Sequence, residues 1–506
     1  MASGLLLACA SRPGPWGVLA FVALVPLLRS AAAGPPLGAA AAAGLGTGVV
    51  FFGLGFGFVP AAQVGAGPGP PVVWAVGVLL LGAPFAAVGM VLARLARRSP
   101  AAALCVAPAA WVGLEALRSH PALGMPWLHL PYALADHPAA IQSASVLGLY
   151  GMSAWIAAVN AAVAGAALVP ARARAAWALA LAFPLASPEP LLLRTPGSEA
   201  PSPSGSLRVA AVQPAIPELH RHAPAAFDGN LRTLLDLSTA ALADRPDLLV
   251  WPESAWERLV QPQGDAFLEA IARSLGVPIL TGAWRLPRPG AAALRNAALL
   301  ALPDGETRIV ADKAHPVPIY ERAPGGPATR WLSRRGLWGG RFEPGDAPRV
   351  VRLETSRGPV TIGALVCIDA SYPGVPRQLR ARGARLLLAI ANEAGTGRWS
   401  AGLHERIARF RAVEGRIPVV RVANTGPSAW FDAWGRTVGS MDHARIGVAT
   451  YELRLADEPP GAVRWGSAPA AAAVIASGLA ALAVGGRARA RAPTRRRRRH
   501  WELEAP

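Results

Sequence analysis

The sequence contains one thiol whose surroundings suit a nucleophile. An apolar run, Val360–Val366, ends in Cys367, and the chain then turns through polar residues as far as Pro373. A thiol at the junction of a strand and a turn is exposed at a fixed angle, as an attacking sulfur must be. A buried, inert cysteine at a strand end is the alternative, because free cysteines are usually buried.

A carboxylate and an ammonium group occupy comparable positions. Glu253 follows the apolar run Leu248–Trp251 and a proline, in an apolar frame that suits a general base. Lys313 lies between a predicted strand and a loop restricted by two prolines, where a fixed cation could stabilise an oxyanion. The alternatives are a glutamate that stabilises a helix N-terminus and an ordinary solvated lysine.

Short apolar runs alternate with charged, helix-capable stretches through the second half of the chain. This alternation predicts a layered α/β domain over residues 207–456. The predicted strands are Leu207–Gln213, Leu248–Trp251, Ile279–Gly282, Ala297–Leu302, Val360–Val366, Leu386–Ile390 and Pro418–Val422.

The order Glu253, Lys313, Cys367, each after a predicted strand, resembles the carbon–nitrogen hydrolase (nitrilase) superfamily. The supporting segments are Val209–Gln213, Ala391–Glu393 and Arg421–Gly426. The resemblance covers about residues 207–454. It implies an α-β-β-α sandwich in which the three side chains form a catalytic triad.

Much of the rest of the chain is apolar enough to lie in lipid. The chain is 52% hydrophobic and 16% charged, whereas soluble proteins carry about 25% charged residues. Residues 1–187 predict an N-terminal transmembrane bundle of about seven spans, and 468–485 predict a C-terminal transmembrane helix. A Pro- and Ser-rich linker occupies 188–206. The spans are placed at 3–10 (the weakest), 15–29, 41–60, 72–95, 101–118, 144–168 and 173–187.

Basic residues follow every second predicted span, which predicts an orientation in the membrane. Arginines cluster at Arg94–Arg98 and in the tail 486–506, whereas the loops 61–71 and 119–140 contain neither lysine nor arginine. We therefore expect a multi-pass protein of the bacterial inner membrane. Its catalytic domain would lie on the periplasmic side and its basic tail in the cytoplasm.

The bundle and the α/β domain together resemble the apolipoprotein N-acyltransferase family. The segments Gly124–Trp127, His315–Glu321 and His404–Glu414 carry this resemblance. It implies that an acyl chain moves from a phospholipid donor to a thioester on Cys367. From there it would move to the terminal amine of a diacylglyceryl-lipoprotein acceptor, with ping-pong kinetics.

Supporting roles are assigned to four further residues. Glu321 and Asp369 would orient the amine or relay protons, although a surface ion pair with a residue such as Arg322 is the alternative for a loop carboxylate. The backbone N–H of Ile368 would help to stabilise the oxyanion. Trp127 would line the lipid entrance or anchor the chain at the membrane surface. The family usually has tyrosine and glutamate where this chain has Ile368 and Asp369.

Several other functions are excluded or left open by the sequence. The net charge of +19 does not indicate nucleic-acid binding, because the basic residues are scattered except at Arg495–Arg499. Neither a metal nor another cofactor is expected, and the chain is expected to be a monomer. Two alternatives are a membrane-tethered amidase or nitrilase acting on a small substrate, and a degenerate, non-catalytic membrane scaffold.

Overall fold

The fold is taken from a computed structural model of the chain. It describes residues 1–59, 70–120, 124–166, 205–217, 223–262, 264–318, 321–322, 342–456, 458–468, 471–472 and 475. The predicted span 173–187, the linker 188–206 and the tail 486–506 lie outside the described residues, except for 205 and 206. Most of the predicted span 468–485 lies outside them as well.

The N-terminal part is a bundle of apolar helices. Its elements are α1 (Ala2–Ala10), a 3₁₀ turn (Pro15–Phe21), α2 (Val25–Ala32), α3 (Leu37–Gly55), α4 (Pro70–Ala96), α5 (Pro100–Arg118) and α6 (Ala144–Gly165). A helix needs about 20 residues to cross a bilayer. The nine residues of α1 are too few for that.

Five segments of the described chain are long and apolar enough to span a membrane. They are Pro15–Ala32, Leu37–Gly55, Trp74–Ala96, Pro100–Arg118 and Ala144–Gly165. Each coincides, within a few residues at either end, with a span predicted from the sequence.

The second part is built from two β-sheets with helices outside them. Its first sheet and helices comprise β1 (Ser206–Gln213), α7 (Phe227–Ala241), β2 (Leu248–Val250), β3 (Trp256–Val260), α8 (Ala266–Leu275), β4 (Ile279–Arg285), β5 (Arg295–Ala301) and β6 (Thr307–Asp312). The second sheet and its helices follow as β7 (Val351–Leu353), β8 (Val360–Val366), α9 (Gly374–Ala381), β9 (Leu386–Ala391), α10 (Gly397–Gly415), β10 (Val419–Ala423), β11 (Ser428–Phe431) and β12 (Thr437–Met441). β13 (Gly447–Arg454) returns to the first sheet, and α11 (Gly461–Trp465) follows it.

The strand order gives each sheet a parallel centre. The first sheet runs β13-β1-β2-β4-β5-β6, with β3 also on β4, and the second runs β12-β11-β10-β9-β8-β7. The neighbours β8, β9 and β10 are parallel. Both faces of β9 are buried, as expected for a central parallel strand made of leucine, alanine and isoleucine.

Three hydrophobic layers define the sandwich. Side chains of both sheets, such as Val250 and Ile390, form the core between them. The outer face of the first sheet packs on α7 and α8 through residues such as Leu234 and Leu268. The predicted α-β-β-α sandwich on a helix bundle is therefore confirmed.

The outer face of the second sheet has a different partner. It packs on α9 and α10, and one continuous core joins these helices to the membrane bundle. That core contains Phe410 of α10, Leu387 of β9, and Tyr132 and Ile156 of the bundle, all at most 1% exposed. The α/β domain is thus packed directly onto the apolar helices.

Candidate active site

Each of the three predicted catalytic residues lies just beyond the carboxyl end of a strand. Glu253 follows β2 in the first sheet, Lys313 follows β6 of the same sheet, and Cys367 follows β8 of the second sheet. The two sheets face each other across a shared core. The fold therefore directs residues far apart in sequence toward one end of the sandwich.

The carboxylate of Glu253 is buried and has hydrogen-bond donors at both oxygens. Oε1 accepts from Lys313 Nζ at 2.9 Å and from Asn296 Nδ2 at 2.8 Å. Oε2 accepts from the backbone N–H of Asn392 at 2.9 Å. Glu253 is followed by a turn and then by β3, so the alternative of a glutamate at a helix N-terminus is wrong.

A glycine makes room for the Glu253 turn. A Cβ atom at Gly282 of β4 would lie 2.4 Å from the backbone nitrogen of Ser254 and 2.5 Å from Cα of Glu253. Ser254 itself has a φ of 53°, in the left-handed region that is costly for residues other than glycine. The backbone at Glu253 is therefore held in a tight, unusual turn.

Lys313 is a buried ammonium group between two carboxylates. Its side chain is 2% exposed, and Nζ donates to Glu253 Oε1 and to Glu321 Oε1, each at 2.9 Å. Burial acts to lower the pKa of Lys313. The negative charges of a Cys367 thiolate, Glu253 and Glu321 outweigh that effect and raise the pKa well above its usual value. The alternative of a solvated lysine is wrong.

Cys367 begins a 3₁₀ turn, Cys367–Ser371, which we call the nucleophile turn. Its φ of 54° is again left-handed, and the residue is only half-buried, unlike an inert cysteine in a core. Burial of the sulfur raises the pKa of the thiol well above its usual value. The charge of Glu253 raises it further, whereas Lys313 lowers it. A thiol with a raised pKa is a weak nucleophile until a base takes its proton.

Two of the supporting residues are close to Lys313 or its loop. Glu321 accepts from Lys313 and, through Oε2, from the backbone N–H of Val317 at 2.6 Å. Its ion-pair partner is therefore Lys313 rather than Arg322. Asp369 is 2% exposed and accepts from the backbone N–H groups of Ala314 and His315 at 2.9 and 3.0 Å. It fixes the loop that follows Lys313.

The other two supporting residues are buried as well. Ile368 is 0% exposed, and its backbone N–H lies in the first turn of a helix, where such groups have no partner within the helix. The indole of Trp127 is 9% exposed and packs among Phe56, Phe58 and His404, at centroid distances of 5.9, 6.2 and 4.7 Å. Trp127 thus joins the bundle to α10, and an anchor exposed at the membrane surface is not what the structure shows.

Asn296 was not predicted from the sequence. It is 3% exposed and donates to Glu253 at 2.8 Å and to Glu321 at 3.3 Å, so it ties the two carboxylates together. Its backbone carbonyl also accepts from the N–H of Lys313 at 2.7 Å. The sequence did offer one indication of Asn296: a polar amide directly before the apolar run Ala297–Leu302, at a position where strands usually bury apolar side chains. Over the described residues, no group of three or more His, Cys, Asp and Glu residues could hold a metal ion.

Known families match both parts of the chain. The family model described as "Apolipoprotein N-acyltransferase N-terminal domain" matches residues 3–162, and that described as "Carbon-nitrogen hydrolase" matches residues 208–458. The structure of Saccharomyces cerevisiae Nit3, a member of branch 10 of the nitrilase superfamily, is 16% identical. Its alignment covers 49% of this chain and 89% of that one, with a TM-score of 0.37.

Two relatives named apolipoprotein N-acyltransferase match most of the chain. The one from Geobacter metallireducens is 31% identical over 74% of this chain and 73% of its own length. The one from Bradyrhizobium diazoefficiens is 31% identical over 92% of this chain and 90% of its own length. These matches confirm the resemblance inferred from the motifs: the chain belongs to the apolipoprotein N-acyltransferase family.

Proposed function

We propose that this acyltransferase moves an acyl chain from a phospholipid, through a thioester on Cys367, to the terminal amine of S-diacylglyceryl-cysteine lipoproteins. Glu253 is the general base and acid, and Lys313 stabilises negative charge. The observation that carries the proposal is the buried contact of Glu253 with Lys313 at 2.9 Å, with both charges acting on the Cys367 thiol. The names of the relatives supply the class of acceptor.

The first half-reaction acylates the enzyme. Glu253 takes the proton of the Cys367 thiol, and the sulfur attacks the ester carbonyl of the phospholipid. Lys313 Nζ and the N–H of Ile368 stabilise the tetrahedral oxyanion. When the intermediate collapses, the C–O bond breaks and the alkoxide of the lysophospholipid takes the proton from Glu253. A thioester remains on Cys367.

The second half-reaction acylates the acceptor. The amine nitrogen attacks the thioester carbonyl and loses a proton to Glu253. Collapse of the second tetrahedral intermediate forms the amide and breaks the C–S bond, and the thiolate recovers its proton from Glu253. Glu321 accepts from Lys313 Nζ at 2.9 Å, as Glu253 does, so it helps to hold the ammonium group in place through both steps.

The packing of the domain supports lipid substrates. Its second sheet shares a core with the apolar bundle, which holds the catalytic domain against the membrane instead of leaving it on a free tether. Both proposed substrates carry acyl chains that stay in the bilayer. We place the catalytic domain on the periplasmic side, in accordance with the distribution of arginines in the sequence.

The test uses the purified full-length chain and phospholipid, without acceptor. Intact mass should show one acyl adduct that hydroxylamine removes. Cys367→Ser should abolish this adduct, whereas Cys105→Ser, a change in α5, should leave it. Glu253→Gln should slow adduct formation by about 10²-fold or more, because it removes the base.

The acceptor distinguishes transfer from hydrolysis. A diacylglyceryl-cysteinyl peptide added to the acylated enzyme should gain the acyl chain and regenerate the free thiol. Release of fatty acid at the same rate with and without the peptide would instead identify a hydrolase. Absence of any adduct on Cys367 would contradict the proposed function.

A further inference from the structure

A buried arginine contacts the end of the nucleophile turn. Arg411 of α10 donates from Nε to the carbonyl oxygen of Ala370 at 2.8 Å and from Nη2 to that of Ser371 at 3.3 Å. The last carbonyls of a helical turn have no partner within the turn itself. Arg411 therefore donates hydrogen bonds to two backbone carbonyls that have no partner within the turn.

The same guanidinium group also contacts the membrane bundle. Arg411 is 1% exposed, and Nη2 is hydrogen-bonded to the hydroxyl of Tyr132, which in turn donates to the carbonyl oxygen of Ser371 at 3.2 Å. Tyr132 belongs to the segment between α5 and α6. A buried residue of the bundle and the turn that carries the nucleophile thus share one cation.

Two carboxylates keep this cation and its surroundings in place. Glu414 forms an ion pair with Arg411, and its Oε1 accepts from the backbone N–H of Leu149 at 2.8 Å, where α6 is kinked at Gly148. In α5, Glu115 accepts from the backbone N–H of Leu130 at 2.9 Å and so fixes the segment that carries Tyr132. Every link in this chain of contacts is buried or partly buried, where a displaced polar group is costly.

We infer that Arg411 is a positioning residue: it locks the nucleophile turn to the membrane bundle through Tyr132, so that packing on the bundle sets the direction of the Cys367 sulfur. The fork of a guanidinium group can serve several acceptors at once, whereas the ammonium group of lysine is a point charge on a flexible stem. Arg411→Lys keeps the charge and loses the fixed geometry.

A matched control lies two residues away on the same helix. Arg409 also crosses from α10 to the bundle, where Nη1 donates to the carbonyl oxygen of Ala135 at 3.2 Å. Its other contacts are Thr437 and the ring of Phe431, at 3.2 and 4.9 Å, and the carboxylates of Glu405 and Asp136, at 3.5 and 3.8 Å. Among the described residues, these contacts avoid the nucleophile turn. Arg409→Lys therefore perturbs docking on the bundle without releasing Cys367.

Two measurements read out the position of the sulfur. The first is the single-turnover rate of acyl-adduct formation, together with kcat and KM for phospholipid, and it rests on the proposed function. The second is the pH dependence of Cys367 alkylation by iodoacetamide in a background lacking Cys9 and Cys105. That profile does not depend on the physiological reaction, so it remains informative even if wild-type protein forms no adduct. Melting in detergent checks that each variant is folded.

Arg411→Lys should slow adduct formation by about 10²-fold with little change in KM, because a misplaced nucleophile loses rate rather than binding. The midpoint of alkylation should move to lower pH, since a loosened turn admits water to a thiol whose pKa is raised by burial. Tyr132→Phe should slow the reaction by about 10-fold, as expected for one lost hydrogen bond to a charged group.

Three results would overturn the inference. One is Arg411→Lys with the wild-type rate and alkylation profile, and another is Arg409→Lys with losses as large as those of Arg411→Lys. If Arg411→Lys does not fold, Tyr132→Phe decides, and wild-type behaviour in both measurements would then reject the role. If wild-type protein forms no acyl adduct, the proposed function fails. The alkylation profiles of the variants then still test the positioning role of Arg411.

Discussion

The most direct prediction for stability concerns the ion pairs beside Lys313. Asp312 ends β6 and accepts two hydrogen bonds from Arg285, at the end of β4, at 2.7 and 2.6 Å. It also pairs with Arg295, at the start of β5, at 3.2 Å. Asp312 and Arg285 have side chains that are 1% and 8% exposed, whereas Arg295 keeps two further partners, Glu343 and Asp346. The ends of β4 and β6 and the start of β5 thus meet at one buried carboxylate.

Asp312→Asn leaves Arg285 buried without its counter-charge. Removing one partner of a buried pair costs about 3–5 kcal/mol. We expect a value near the lower limit, about 3 kcal/mol, because the amide oxygen of asparagine still accepts one hydrogen bond. In a domain of this size each kcal/mol lowers the melting temperature by about 2–4 °C, which gives a decrease of about 6–12 °C. Scanning calorimetry of the full chain in detergent, at a fixed scan rate, measures it.

The chain contains a matched exposed pair for comparison. Glu306 directly precedes β6, and Arg308 lies in that strand. Their side chains are 53% and 38% exposed and form an ion pair at 2.6 Å. Water and salt screen such a pair, so Glu306→Gln should leave the melting temperature unchanged. Equal melting temperatures for Asp312→Asn and Glu306→Gln would refute this reasoning. Because Asp312 precedes Lys313, its variant should also form the acyl adduct more slowly.

Two further predictions concern the active site. In Glu253→Gln the pH midpoint of Cys367 alkylation should fall, since a negative charge that raises the pKa of the thiol is lost; in Lys313→Met the midpoint should rise, since a positive charge that lowers this pKa is lost. Equal midpoints in both variants would show that neither charge acts on the sulfur. Gly282→Ala should displace the Glu253 turn and slow adduct formation by about 10²-fold, because its Cβ would meet backbone atoms within 2.5 Å. Gly229→Ala, in α7 with open space around the glycine, is the control and should retain the wild-type rate.

The sequence predicted the central strands and missed the peripheral ones. Each of the seven predicted strands corresponds to an observed strand, because both faces of these segments are apolar. The strands β3, β6, β7, β11, β12 and β13 were not among those predicted. They lie at or near sheet edges. Three of them, β3, β12 and β13, carry exposed polar residues such as Arg258, Thr437 and Glu452, so hydrophobic runs did not reveal these three. Their pairing depends on neighbours far away in the sequence.

The sequence indicated the types of the reacting groups but not their contacts. Glu253, Lys313 and Cys367 could be chosen because each follows an apolar run and precedes a turn. The bridging amide of Asn296 was not chosen: its position before an apolar run does not reveal a role that arises only when β5 lies beside β6. The left-handed backbone of Cys367 was equally hidden, because any residue can be forced into it by surrounding contacts.

The bundle is a structural part of the catalytic domain as well as its anchor. A linker rich in proline and serine would allow a domain to hang freely from the membrane, yet Leu403, Ile407 and Phe410 of α10 lie in the core that continues into the bundle. Removed from the bundle, this helix would lose apolar contacts such as that between Phe410 and Tyr132, whose ring centroids lie 5.4 Å apart. Arg411 and Glu414 add buried charges that find their partners partly on the bundle side. An enzyme whose nucleophile turn is held through such contacts must be assayed as the whole chain, because cutting at the linker would remove Tyr132 and Leu149 from the parts that position the sulfur.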